Sequence, residues 1–212
     1  MKEIFLRNYD TIIFDLGEVI VDLDPQAVED RLFAASRKEL DYRDLVFTSP
    51  LIKQYETGRI TEGAFRKEMN ELLNISLSDD EFDEVWNLML SEIPIDRLNF
   101  MEQLKSEFQV MILSNTNSIH ERKFDEMVGA VTAGRKMADF VHHAHYSHEV
   151  GLSKPDQEVY HYVLNRHDLV PERTLFLDDR QDNVAAARMT GIDARQVEFP
   201  DQIFDLLQYD RG

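Results

Sequence analysis

Three short apolar runs, each ending in polar residues, organise the chain. Thr11-Ile12-Ile13-Phe14 stops at Asp15, Val110-Met111-Ile112-Leu113 stops at Ser114-Asn115, and Thr174-Leu175-Phe176-Leu177 stops at Asp178-Asp179. Uninterrupted apolar stretches of this length predict strands buried on both faces. Residues 194–197 and 143–147 predict two more. Helical patterns lie between the runs. Val159, Tyr162 and Val163 share one face after Pro155, and residues 183–190 predict a helix closed by Gly191. Strands that alternate with helices imply a parallel sheet with helices on both faces, a Rossmann-like, doubly wound α/β core. Ligands of such sheets bind outside the carboxyl ends of the strands. The polar residues that end the three runs are therefore expected to converge, although about 100 and 160 positions separate them from Asp15.

Between the first and second runs, from Pro25 to Leu90, the pattern reads as helical throughout. Phe82, Val85, Trp86, Met89 and Leu90 recur at helical spacing, as do Phe65, Met69, Leu72 and Leu73 after Thr61, a candidate N-cap. Gly58 is expected to end the preceding helix. Ser78 and Glu81 make a capping box, so the acids Asp79, Asp80, Glu81, Asp83 and Glu84 read as a solvated helix start. A stretch this long exceeds a simple crossover. Residues 23–92 are therefore expected to form a helical cap subdomain over the strand ends, with residues 1–22 and 93–212 forming the α/β core.

Composition changes the picture mainly by exclusion. The chain has 212 residues, of which 43% are hydrophobic and 30% charged, enough for a buried core. It contains no cysteine, which removes disulfides, cysteine-ligated zinc and thiol nucleophiles. A formal charge of −18 disfavours nucleic-acid partners. It also requires that an anionic substrate meet fixed cations or backbone N–H groups locally. No apolar run reaches bilayer length, and Met1-Lys2-Glu3-Ile4-Phe5 lacks a signal-peptide core. The expectation is a cytoplasmic protein without membrane partners, a monomer or weak homodimer.

The strand-end residues carry the candidate chemistry. Asp15 could attack phosphorus and ligate Mg2+, with the Gly17 carbonyl as a second oxygen ligand. By itself an aspartate there serves as well as a turn or cap. Ser114, Asn115, Thr116 and Asn117 offer hydroxyl and backbone N–H donors to a phosphate where a helix begins, or simply an N-cap. Lys154, just before Pro155, could supply a fixed ammonium or lie on the surface. Asp178 and Asp179 repel one another unless a cation lies nearby, and Mg2+ suits such oxygens.

Taken together and in this order, Phe14-Asp15-Leu16-Gly17, Leu113-Ser114-Asn115-Thr116-Asn117, Gly151-Leu152-Ser153-Lys154-Pro155 and Phe176-Leu177-Asp178-Asp179 with Asp182-Asn183 resemble the four motifs of the haloacid dehalogenase-like hydrolase superfamily. The resemblance spans nearly the whole chain, and the helical insertion resembles that superfamily's C1-type cap. It implies that Asp15 is the nucleophile and a Mg2+ ligand, and that Ser114 and the Asn115 backbone hold phosphate. It further implies that Lys154 neutralises charge, that Asp179 binds the metal directly with Asp178 direct or through water, and that Thr116 and Asn117 face a small phosphorylated metabolite. The pattern also resembles bacterial α-D-glucose-1-phosphate phosphatases.

One position departs from most phosphatases of that superfamily. They carry a second aspartate two residues after the nucleophile, as general acid on the leaving group; here that position is Gly17. Glu18 is adjacent, and water could serve a good leaving group. Two other readings share the same residues. A metal-independent 2-haloacid dehalogenase would use Asp15 to form an ester at carbon, and a non-catalytic phosphometabolite-binding module would have lost turnover. The paired acids favour the cation-dependent phosphatase. His142, His143, His145 and His148 read as packing or surface histidines rather than a zinc site, since no well-spaced carboxylate accompanies them.

Overall fold

Asp15 owes its position to strand register. The computed structural model describes residues 6–35 and 49–207, and the chain passes through strands β1 (Thr11–Phe14), β2 (Asp22–Leu23), β3 (Leu90–Glu92), β4 (Gln109–Ser114), β5 (His143–Tyr146), β6 (Thr174–Asp178) and β7 (Asp193–Gln196). Five of these form one sheet in the order β5-β4-β1-β6-β7, with every pairing parallel. Phe14 pairs with Ile112 on one side and Leu177 on the other, and the Asp15 N–H donates to Leu177 O at 2.9 Å. Asp15, Ser114 and Asp178 are thereby brought to the same rim. From β1 the chain builds outward to β4 and β5, then returns to β6 on the opposite side of β1. The sheet's topological switch point lies at β1.

Alternate residues of each strand feed opposite layers. Ile12, Phe14, Val110, Ile112, Leu175 and Leu177 pack with Leu98, Phe100 and Met101 of α5 (Ile95–Leu104) and with Phe124 and Val128 of α6 (Ser118–Val131). Ile13, Met111, Leu113 and Phe176 face the other way. They meet Val159, Tyr160, Val163 and Leu164 of α8 (Gln157–Arg166) and Val184 and Ala187 of α9 (Gln181–Met189). The expectation of a two-sided α/β core is met. α8 turns its face by one residue relative to the sequence reading: Tyr160 is buried and Tyr162 only partly so. Its first residue is Gln157, so Pro155 lies ahead of the helix.

The segment between β1 and β4 has its own apolar cluster. It holds α1 (Pro25–Ala35), α2 (Pro50–Glu56), α3 (Glu62–Leu73) and α4 (Asp79–Asn87), whose Phe65, Met69, Leu73, Phe82, Val85 and Trp86 pack together. Phe65 sits 5.2 Å from the Trp86 ring and 5.7 Å from Phe82, both edge-on. Thr61 caps α3, and Ser78 with Glu81 forms the capping box of α4, as the sequence implies. Residues 36–48 of the stretch read as helical lie outside the described residues, and over the rest that reading needs one correction. α4 stops at Asn87, and Leu90 enters β3, which pairs antiparallel with β2. Met89 and Leu90 continue the helical spacing but serve the ribbon, where Met89 O accepts from Asp24 N. Among the described residues no helix is long and apolar enough to cross a membrane.

Candidate active site

At the sheet rim a buried ammonium joins two of the sequence motifs. Lys154 Nζ lies 2.7 Å from Asp15 Oδ1 and 2.7 Å from Asp178 Oδ2, and its side chain is 1% exposed. Stranding such a charge without partners would cost several kcal/mol, in the range of roughly 3–5 kcal/mol for a broken buried pair. Asp178 is held in turn by the Arg180 backbone N–H at 2.9 Å and by Asn183 Nδ2 at 3.0 Å. Asn115 fixes the lysine's backbone from both sides: its Oδ1 accepts from Lys154 N at 2.9 Å, and its Nδ2 donates to Lys154 O at 2.8 Å. Residues 39 positions apart are thus clamped together.

The cluster is overloaded with negative charge. Carboxylate oxygens of Asp15, Asp178 and Asp179 all lie within 4.8 Å of one another. Three carboxylates against one ammonium leave an excess of two negative charges when all are ionised. Burial pushes Asp15 up to about 7; Lys154 opposes this, while Asp178 and Asp179 add to it. Burial, then Asp178, pushes Asp179 up to about 6. Burial acts to lower Lys154, but Asp15 and Asp178 outweigh it and hold the ammonium above the ordinary lysine value. An all-oxygen donor set with this surplus charge fits a hard divalent cation such as Mg2+. Gly17 lies in the same wall and forms a single bridge to Val21.

Above the cluster lies a cavity of about 770 Å3. Its floor contains Asp15, Ser114, Asn115, Thr116, Lys154 and Asp179; the helical segment contributes Ile52, Glu56, Trp86 and Met89. Polar ties hold that segment in place. Tyr55 Oη is 3.1 Å from Ser118 Oγ and accepts from Ile119 N at 3.3 Å, while Glu62 takes both Ser118 Oγ at 2.6 Å and Arg122 Nη1 at 2.5 Å. Burial is the main cause that lifts Glu56 to about 7; Arg180 pulls the other way and Asp15 pushes with it.

Of the two residues expected to face the substrate, Thr116 and Asn117, only Thr116 lines the cavity. Asn117 is absent from the cavity wall: its side chain caps α6, accepting from His120 N at 3.0 Å, and is 1% exposed. The helix begins at Ser118, so the residue before it is spent on capping. Thr116 does line the cavity, but its N–H donates to Ser147 Oγ at 3.0 Å. Glu18 is not part of the cavity wall, and its Oε1 accepts from Leu23 N at 3.0 Å. Glu56, His120, Arg180 and Asn183 also line the wall, and none of them is a site candidate on sequence grounds. Asn183 carries a sequence signal, standing with Asp182 after the paired acids; Glu56 carries none, since a glutamate on a helix reads as surface. Of the four histidines, His148 does have carboxylate neighbours. Its Nε2 is 3.0 Å from Glu121, and Glu149 completes a group of three candidate ligands.

Comparison with known proteins supplies a family. The haloacid dehalogenase-like hydrolase family matches residues 9–191. D-ribitol-5-phosphate phosphatase of Bacteroides thetaiotaomicron is 25% identical over 188 residues, 88% of this chain and 91% of that protein. A HAD family enzyme of the same organism superposes with a TM-score of 0.86 at 25% identity, over 94% of this chain and 98% of its own. That enzyme's complex with magnesium and inorganic phosphate gives a TM-score of 0.77 at 26% identity, over 89% of this chain and 93% of the other.

Proposed function

This chain belongs to the haloacid dehalogenase-like hydrolase family, and we propose that within it the protein is a Mg2+-dependent phosphatase of small phosphomonoesters. The observation that carries this reading is the 2.7 Å contact of Lys154 with Asp15 inside a cluster of three carboxylates at the end of the central strand. A haloacid ester requires no such surplus of acids, whereas a metal phosphate does. The ribitol-phosphate phosphatase relative and the magnesium- and phosphate-bound Bacteroides enzyme support the same choice. A sugar or sugar-alcohol phosphate, glucose 1-phosphate among them, is the proposed substrate class. Residues 23–92 act as the cap that surrounds the leaving group.

Catalysis runs in two steps. Asp15 attacks phosphorus in line and expels the alcohol, giving an aspartyl-phosphate; water then cleaves the Asp15 ester and releases phosphate. Asp15, Asp178, Asp179 and the Gly17 carbonyl are the proposed metal-holding groups, and Mg2+ would offset repulsion between the nucleophile and the phosphate oxygens. Lys154 orients Asp15 and adds one fixed positive charge. Ser114 and Asn115 hold the phosphoryl group from the β4 side.

Asp15→Asn is expected to abolish turnover of phosphate esters while leaving the melting curve cooperative. Retention of even about a tenth of the wild-type rate would end the covalent reading, because removing a nucleophile costs orders of magnitude. EDTA is expected to stop phosphate release and added Mg2+ to restore it. Chelator-insensitive chloride release from 2-haloacids, without phosphate release, would favour the dehalogenase instead.

A further inference from the structure

We propose that Glu56 is the general acid of this enzyme, supplied by the helical segment in place of the carboxyl absent at Gly17. The assignment rests on the phosphatase reading above and adds the proton donor that reading lacks. In-line attack by Asp15, from the end of β1, drives the leaving oxygen away from the sheet and towards the opposite wall. Glu56, the last residue of α2, is in that wall.

The other titratable groups of the wall are committed elsewhere. Asp15 and Asp179 belong to the carboxylate cluster, and Lys154 bridges Asp15 and Asp178. Arg180 is paired with Asp182 at 2.7 Å. His120 contacts Asn117 Nδ2 through Nδ1 at 3.2 Å and Trp86 O through Nε2 at 3.0 Å, and burial holds it neutral, down to about 4. Glu18 is bonded to the Leu23 N–H. By contrast, no hydrogen bond or ion pair to the Glu56 carboxylate occurs among the described residues.

Its neighbours in sequence fix where it stands. Tyr55 is stacked on Phe65 at 4.2 Å and bonded to Ser118, and Thr57 Oγ1 closes the turn on Lys53 O at 2.6 Å. Gly58, at φ 65°, lets the chain press onto α7 (Ser147–Val150): a Cβ there would come within 2.4 Å of His148 O. Lys53 reaches Asp156 at 2.9 Å from the preceding turn. The charges that act on Glu56 are Arg180, Asp15, Lys154 and His148, from four separate parts of the core. Burial raises its pKa to about 7, so near neutral pH both the protonated and the ionised form are populated.

Protons balance across both steps. As the Asp15–phosphorus bond forms and the phosphorus–alkoxide bond breaks, Glu56 gives its proton to the departing oxygen. As water attacks phosphorus and the Asp15 ester breaks, the Glu56 carboxylate takes a proton from that water and is reset.

The test compares Glu56→Gln with wild type in the first turnover, with Mg2+ saturating. For an aliphatic ester such as D-ribitol 5-phosphate the variant's rate is expected to fall by about 10²-fold or more, the usual worth of general-acid assistance. For p-nitrophenyl phosphate, whose leaving group needs no proton, the nitrophenol burst is expected to stay within about threefold of wild type. Equal losses on both esters, or no loss on the aliphatic one, would overturn the assignment. Asp15→Asn is expected to abolish both reactions, so failure of the phosphatase reading is told apart from failure of this one. Should Glu56→Gln not fold, wild type alone decides across a series of alkyl and aryl phosphates. A shallow dependence of the first-turnover rate on leaving-group pKa supports a proton donor, and a steep one overturns it.

Discussion

Two asparagines two positions apart do opposite work here, and the difference is measurable. Asn115 spends both ends of its amide on the Lys154 backbone, while Asn117 spends its oxygen on the first turn of α6. Asn115→Ala removes two hydrogen bonds at once. At about 1 kcal/mol each the expected loss of stability is ~2 kcal/mol. The effect on rate is expected to be larger, because the freed lysine no longer aims its ammonium at Asp15; a displacement of about 1 Å can cost about 10²-fold. Asn117→Ala is expected to cost ~1 kcal/mol through the lost cap, yet leave kcat within about twofold. Thermal melts and kcat for the two variants, side by side, check the contrast. Equal rate losses would mean that Asn117 reaches the substrate after all.

The turn that follows α2 carries an element-scale version of the same argument. Gly58 combines a left-handed φ of 65° with backbone contact to His148 O. Alanine there meets about 1 kcal/mol or more of conformational cost plus a clash that only movement of the turn relieves. Gly58→Ala is therefore expected to lower the melting temperature by about 3–8 °C and, by lifting Glu56 from the cavity, to cut aliphatic-ester turnover more than nitrophenyl-ester turnover. Unchanged melting would show that the turn relaxes freely. The contrast between elements also explains what was legible in the sequence. Strands β1, β4 and β6 announce themselves because burial on both faces demands an unbroken apolar run, and their polar ends mark the rim. Thr61, Ser78 and Gly58 are visible because caps and left-handed turns admit few residue types. The ribbon of β2 and β3 is invisible: two and three residues are too few to show alternation, and Leu90 fits the preceding helical period by coincidence. Glu56 is invisible for another reason. Its significance comes from what faces it across the cavity, and sequence spacing holds no trace of that.

At the scale of the whole molecule, buried histidines and the crowded carboxylates set opposing responses to pH. Burial holds His120 and His145 down to about 4, with His167 adding to the effect on His145, whose Nε2 lies 2.8 Å from His167 Nε2. Unfolded, each would titrate near the ordinary histidine value of about 6.5. Between about pH 6.5 and 4 the unfolded chain therefore binds more protons at these sites than the folded one, and stability from them is lost as pH falls through that window. Asp15, Asp179 and Glu56 act in the reverse sense. Their folded values of about 7, 6 and 7 exceed ordinary carboxyl values, so in metal-free protein they favour folding as pH falls through overlapping values. The total curve thus mixes both signs, and a difference between variants separates them. His145 lies on β5, at the sheet edge and outside the cavity wall, so His145→Gln leaves the carboxylate cluster intact. Urea midpoints of wild type and His145→Gln are expected to draw together, or to cross, as pH is lowered from about 7 to 4, because only the wild type carries the cost of protonating that imidazole. Parallel curves over the same range would mean that this cluster opens to water before it titrates.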